Sequence, residues 1–245
     1  MSNGERVRRS SIHAMSNSEV RPRVLCVYGN PKHGGFVHGC VDHIAAYLEA
    51  SGADVDRLRL GECTIRDCIG CFHCLRTGEC AIDDDMGEII ERIRRCDGLV
   101  TGASVRNGLF PAIFKRFYER ITYILGFGRE MRGKYVLAIG AVGMAGGRKP
   151  LGKLLTFREF HTYISDYLFF RTGIPTRRTV AEVAPTLERA ADKFYGSIVA
   201  RKPLPWHVRL LGRVDDFIVR KFMLERNPDH VYDYVVARWK ERGIS

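Results

Sequence analysis

The sequence predicts an α/β domain in which a doubly wound parallel sheet carries helices on both faces. Two observations predict it. Short apolar runs closed by Gly or Pro recur along the chain, and the segments between them place apolar residues at steps of three and four. The spacing leaves room for a helical crossover after each strand, which is how parallel strands are joined.

The elements follow in order. Arg23–Tyr28 (RVLCVY) reads as a buried strand ended by Gly29, Asn30 and Pro31. Residues 37–50 form an amphipathic helix with Val41, Ile44, Ala45 and Leu48 on one face, stopped by Gly52. Residues 54–60 alternate polar and apolar, as a half-buried or edge strand does. Residues 63–85 have no period and read as a long functional loop with one helical turn. A helix over 86–95, a strand over 99–105, a strong helix over 111–125 and a strand over 135–139 come next. A glycine-rich loop then leads to a helix over 150–160, a last strand over 167–170 and a helix over 184–200. Residues 201–205 (RKPLP) look like a linker, followed by a C-terminal helical extension to residue 245. Its first part gives one apolar face and its last helix spans 231–242; the apolar face is expected to pack on the domain or on a partner subunit.

In such sheets ligands bind at the carboxyl ends of the strands, where strand order reverses. The loops after Tyr28, Val105 and Ile139 are therefore the candidate site.

Composition narrows the function classes. A chain of 245 residues with 45% hydrophobic and 27% charged residues can bury a full core without disulfides. The formal charge of +11 favours an anionic partner, but the cations are spread and show no basic stripe with interleaved aromatics, so nucleic acid is not expected. No stretch approaches ~20 apolar residues, so no transmembrane helix is predicted, and a membrane-surface role is not expected. Residues 1–22 are polar, rich in Ser and Arg, and expected to be a disordered tail without a signal-peptide core. The protein is expected to be cytoplasmic, and eight cysteines there point to metal or redox chemistry.

Two segments carry chemistry. Gly29-Asn30-Pro31-Lys32-His33-Gly34-Gly35 joins a strand to a helix, where small residues admit a ligand to the backbone and helix-start N–H groups bind anions. It matches neither the dinucleotide fingerprint nor a Walker loop, and an ordinary strand-to-helix turn is the plainer alternative. Cys68-x2-Cys71-x2-Cys74-x5-Cys80 is the stronger signal: four thiolates this close can surround an iron–sulfur cubane. Zinc and free redox thiols are the alternatives. Cys63 is a spare thiol, and Cys26, Cys40 and Cys96 are expected to be buried core residues.

The ordered set of motifs resembles the flavodoxin-like NADPH-dependent FMN reductase family, and within it the iron–sulfur flavoproteins. The loop Gly29-Asn30-Pro31-Lys32 resembles a Gly-Ser-Pro-Arg loop around an FMN phosphate. The cysteine loop with Asp84-Asp85-Met86, the helix Lys115-Arg116-Phe117-Tyr118-Glu119-Arg120, the pair Gly146-Gly147 and the ending Trp239-Lys240-Glu241-Arg242-Gly243 follow in the same order. The resemblance covers residues 23–200, a flavodoxin-like FMN-binding domain with a five-stranded sheet. It implies an FMN-dependent oxidoreductase or electron-transfer protein.

The resemblance also implies site residues. Asn30, Lys32, Gly34, Gly35, Ser104, Arg106, Asn107, Gly108, Gly143, Gly146 and Gly147 would hold FMN, and Cys68, Cys71, Cys74 and Cys80 a [4Fe-4S] cluster. NAD(P)H or ferredoxin is the expected donor, a small-molecule or protein redox partner the acceptor, and a homodimer or homotetramer the assembly. Two departures stand out. Phe36 and Val37 replace the family's phosphate-binding Asn and Ser/Thr, and Ala103-Ser104-Val105-Arg106 replaces Ser-Pro-x-Tyr. Backbone amides, with His33 or His38, remain to hold a phosphate. No general acid or base is identifiable. The competing readings are an NAD(P)H-dependent flavin or quinone reductase without a cluster, and a flavin-free metal-binding or interaction module.

Overall fold

The computed structural model describes residues 21–244. The tail expected over 1–22 lies almost wholly outside them. The parallel sheet has five strands: β1 (Arg23–Tyr28), β2 (Asp54–Arg59), β3 (Gly98–Ser104), β4 (Tyr135–Val142) and β5 (Tyr163–Arg171). Their order is β2-β1-β3-β4-β5, with every pairing parallel. The order reverses between β1 and β3, which is the crevice where flavodoxin-like sheets bind ligands.

Alternation along β1 feeds two cores. Val24, Cys26 and Tyr28 face α1 (Phe36–Ala50) and α6 (Val180–Val199). Leu25 and Val27 face the other layer, built of α3 (Met86–Arg95), α4 (Ala112–Ile121) and α5 (Arg148–Leu155). In α1 the face Val37, Cys40, Val41, Ile44, Ala45 and Leu48 is buried, each large aliphatic side chain stabilising by about 1.5–3 kcal/mol. Cys26, Cys40 and Cys96 are all buried, as the sequence suggested.

Several boundaries differ from the sequence reading. The helix of 111–125 keeps α geometry only to Ile121 and widens into a π turn over Thr122–Gly126. The helix expected over 150–160 starts at Arg148 and stops at Leu155, because Phe157 turns left-handed (φ 48°) to seat its ring among Phe114, Phe117 and Tyr118. Pro150 sits in that helix's first turn, where its missing N–H costs nothing. β5 is an edge strand of nine residues, longer than the 167–170 expected, because its half-exposed side chains extend beyond the apolar run. α6 begins at Val180, four residues early, because Thr179 caps it by accepting from the Glu182 N–H.

The cysteine-bearing segment contains a short helix, α2 (His73–Thr77), and its two stems are tied together. The Thr64 N–H donates to Asp85 and the Arg66 N–H to Asp84. Asp84 also accepts from the Met86 N–H and from both terminal nitrogens of Arg120 on α4, at 2.8 and 2.9 Å. Both side chains of this ion pair are fully buried. Burial opposes the Asp84 charge, but Arg120 and the two backbone donors prevail and hold its carboxyl below the usual range.

The C-terminal extension holds α7 (Trp206–Val219) and α8 (Asp233–Glu241). α8 lies on α2: Val235 and Trp239 pack with Leu75, and Tyr234 covers Gly78 so closely that a Cβ there would sit 2.4 Å from its ring. The Trp239 indole donates to the Phe127 carbonyl at 2.7 Å. Glu130, also buried, accepts from Arg94 and Tyr234; burial opposes its charge but these donors keep its carboxyl low.

Asp84→Asn leaves Arg120 buried without its counter-charge and should cost about 3–5 kcal/mol, read as a lower denaturant midpoint at unchanged slope. The double change Asp84→Leu with Arg120→Met should recover most of that loss. Asp84 and Glu130 have folded pKa values below their unfolded values of about 3.9 and 4.3. Their stabilisation is therefore complete above those unfolded values and is lost as pH falls through the folded ones. Stability measured on acidification should drop below about pH 4.5, with a shallower slope in Glu130→Gln.

Candidate functional site

A cavity of about 410 Å³ opens at the carboxyl ends of β1, β3, β4 and β5. Its walls include Asn30, Lys32, Gly34 and Gly35 from the first loop, Ser104 and Arg106 after β3, and Gly143 after β4. These are residues the sequence singled out. Gly146 and Gly147 line an adjoining cavity of about 670 Å³ that shares the Val142 wall. Asn107 and Gly108 line neither. Their positive φ values (48° and 78°) make the two-residue turn between Arg106 and Leu109, whose N–H groups bond each other's carbonyls.

Sequence reasoning missed the wall after β5, Thr172 to Thr176. The signal was present: Thr-Gly-Ile-Pro ending an apolar strand marks a loop at the same sheet end. This wall is fastened to β4, since Thr172 N–H donates to Val142 and Gly173 N–H to Gly143. A Cβ on Gly143 would lie 2.5 Å from Ile174, so the contact requires glycine.

The first loop presents backbone. Gly34 and Gly35 have φ of 75° and 87°, and a Cβ at either would meet nothing within 4 Å. Gly35 caps α1 without a side-chain bond, and the first turn holds no acid, so helix-start N–H groups remain available to an anion. Lys32 and Arg106 add positive charge. Phe36 and Val37 contribute apolar wall, with Phe36 edge-on to Phe170. Asn30 joins two loops, its Oδ1 accepting from both the N–H and the hydroxyl of Ser104.

His33 and His38 do not line the cavity. They stand behind the loop, the His38 ring tilted against Tyr28 with centroids 4.5 Å apart and His33 3.2 Å from Glu62. Burial pushes the His38 imidazole below its usual pKa, and Tyr28 donates to Asp42 at 2.6 Å. His33 thus braces the loop against the start of the cysteine segment. There a Cβ on Gly61 would sit 2.5 Å from the Pro31 carbonyl.

Cys68, Cys74 and Cys80 are partly exposed and Cys71 is exposed. They are near enough for Cys80, Cys68 and Cys71 each to act on the Cys74 charge; burial, with these neighbours, pushes that thiol up to about 11. Among the described residues no three His, Cys, Asp or Glu side chains converge to metal-holding distance. One further observation bears on fit. The buried Nε of Arg120 has no hydrogen-bond partner, and Cys80 is close enough to act on the Arg120 charge.

A family model described as NADPH-dependent FMN reductase matches residues 22–164. This chain belongs to that family. Among curated relatives, an iron–sulfur flavoprotein of Clostridioides difficile is 24% identical over 229 residues, covering 90% of this chain and 99% of its own. An iron–sulfur flavoprotein of Methanosarcina thermophila is 28% identical over 145 residues, 58% of this chain and 72% of its own. Two solved structures share the fold. RosB superposes with a TM-score of 0.61 at 12% identity, over 79% of this chain and 85% of its own. A flavone reductase does so at 0.57 and 12%, over 75% and 65%. Family membership makes this an FMN-dependent oxidoreductase, and the open backbone cradle with its flanking cations fits a flavin phosphate.

Asn30→Ala removes the bridge to Ser104 and should loosen both loops. FMN affinity should fall about fivefold or more, measured by flavin fluorescence quenching.

Proposed function

We propose that this chain binds FMN in the cleft at the carboxyl ends of β1, β3, β4 and β5. It carries a [4Fe-4S] cluster on Cys68, Cys71, Cys74 and Cys80, and moves electrons between a donor such as NAD(P)H or ferredoxin and a small-molecule or protein acceptor. One observation carries the cluster assignment. Four closely spaced thiols hang from a frame that brings Cys80 near the buried Arg120 guanidinium, whose Nε has no partner. The relatives named iron–sulfur flavoproteins support it.

Each residue has a part. The N–H groups from Gly34 onward, with Lys32, hold the phosphate. Asn30 and Ser104 fix the two loops against each other, and Arg106 supplies charge at the rim. Gly143 and Ile174 close the wall beside the ring, and Phe36 and Val37 keep water from it. Gly146 opens the adjoining cavity to a second ligand. Arg120 Nε donates to sulfur at the cysteine loop. When bound, the flavin exchanges one or two electrons and the cluster one at a time.

Protein purified without oxygen should show flavin bands over a broad iron–sulfur shoulder, with about four irons and matching sulfide per chain. Cys80→Ala should lose iron and keep flavin, while Cys63→Ala should keep both. Lys32→Ala should weaken FMN about tenfold. Flavin without iron would replace this reading by a cluster-free reductase. Neither chromophore after reconstitution would leave a flavin-free scaffold.

A further inference from the structure

α7 turns its polar side toward the domain. Asp215 and Asp216 point inward and pair with Arg129 and Arg132, the closest contacts at 2.6 Å. Gly212 lies against His161, and Val219 joins the cluster of Leu75, Val235 and Trp239. The opposite face carries Trp206, Leu210, Val214, Phe217, Ile218 and, in the following π turn, Phe222, between 48% and 71% exposed. Of the two covers the sequence suggested, the domain or a partner subunit, the domain does not supply one among the described residues. Exposed apolar stripes of this breadth mark interaction surfaces.

The charges beside the stripe identify what covers it. Arg209, Arg213 and Arg220 recur at four and seven residues, so they stack along one flank of the helix. None has a carboxylate partner among the described residues. The acids of α7 itself, Asp215 and Asp216, are consumed on the inner side. The outward half of α7 is therefore apolar and cationic, with Trp206 at its first turn. An antiparallel pairing of two copies through this stripe would bring both arginine flanks into one seam. An anionic bilayer surface complements both features: acyl chains take the apolar stripe, and headgroups take the arginines.

We infer that α7 docks this protein, reversibly and in the plane of the interface, on membranes rich in anionic phospholipid. No helix among the described residues is long and apolar enough to cross a membrane, so the contact is peripheral.

Full-length protein is sedimented with vesicles of phosphatidylcholine alone and of equal parts phosphatidylcholine and phosphatidylglycerol. Partition should be at least about tenfold stronger to the anionic vesicles and should weaken with added salt. Trp206 fluorescence should shift to the blue on binding, a change absent in Trp206→Phe. The variant Leu210→Glu with Phe217→Glu should lose binding while keeping its unfolding midpoint and flavin content, since both side chains are exposed and neither lines the cleft. Arg209→Gln with Arg213→Gln should lose the preference for anionic lipid. Absence of vesicle binding overturns the inference, as does binding unchanged in the Leu210/Phe217 variant. If vesicles fail and light scattering shows a dimer that the same variant dissolves, the face joins two copies instead.

Discussion

The ion pair between Asp84 and Arg120 is the constraint on which the cysteine segment depends. Two charges out of water cost several kcal/mol each, repaid only when nearly every lone pair and N–H finds a partner. Asp84 meets that demand with two backbone N–H groups and two guanidinium nitrogens, and Arg120 adds a bond to the Arg66 carbonyl. The pair thus closes both stems of a loop that has no core of its own and fixes them to α4. The one nitrogen left over, Nε, has no partner, and Cys80 lies near enough to act on the same guanidinium. A network so complete elsewhere makes that remaining donor informative about what the loop receives.

The same economy appears in the first loop. The first loop carries Phe36 and Val37 at the helix start, without hydroxyls, and presents backbone instead. Gly34 and Gly35 expose amides, and Asn30 spends its carbonyl oxygen on holding the loop to Ser104. Rigidity replaces contact number: a cradle fixed before binding loses less entropy on binding. Its outer side is fixed as well. Gly61 lets the cysteine segment's root touch Pro31, and His33 meets Glu62. The first loop and the cysteine segment therefore share a wall.

Much of this was legible in the sequence, and the exceptions have physical causes. β1, β3 and β4 announced themselves as apolar runs because both faces of a covered parallel sheet are buried. The two edge strands are half-exposed: β2 showed itself by alternation, and only the middle of β5, residues 167–170, was legible. Topology pointed to the strand ends, where the cavity opens, yet the wall at 172–176 was not expected because the loop after β5 was not counted among the strand-end loops. Asn107 and Gly108 look like ligand contacts in a linear reading, but turn geometry already accounts for them. Asp84 and Arg120 lie 36 residues apart. Each motif was visible alone, and nothing in local pattern shows that they meet, because only the packing of α4 on the loop stems brings them together.

The extension past α6 closes the remaining side of the cysteine segment. Tyr234 occupies the space above Gly78, Val235 and Trp239 bury Leu75, and Glu130 ties α8 to α3 through Arg94. The segment is held from below by an ion pair and from above by a helix, while Cys71 and its neighbours Ile69 and Phe72 stay exposed between them. Order at both ends with exposure at the tip suits a loop that must keep its thiols near one another yet present them outward. The α8 side is also the attachment for α7, whose Val219 enters the same cluster. The outward face of α7 is thus anchored to the cysteine segment by a shared core of Leu75, Val219, Val235 and Trp239, so that a load on one helix is borne by the packing that also fixes the other.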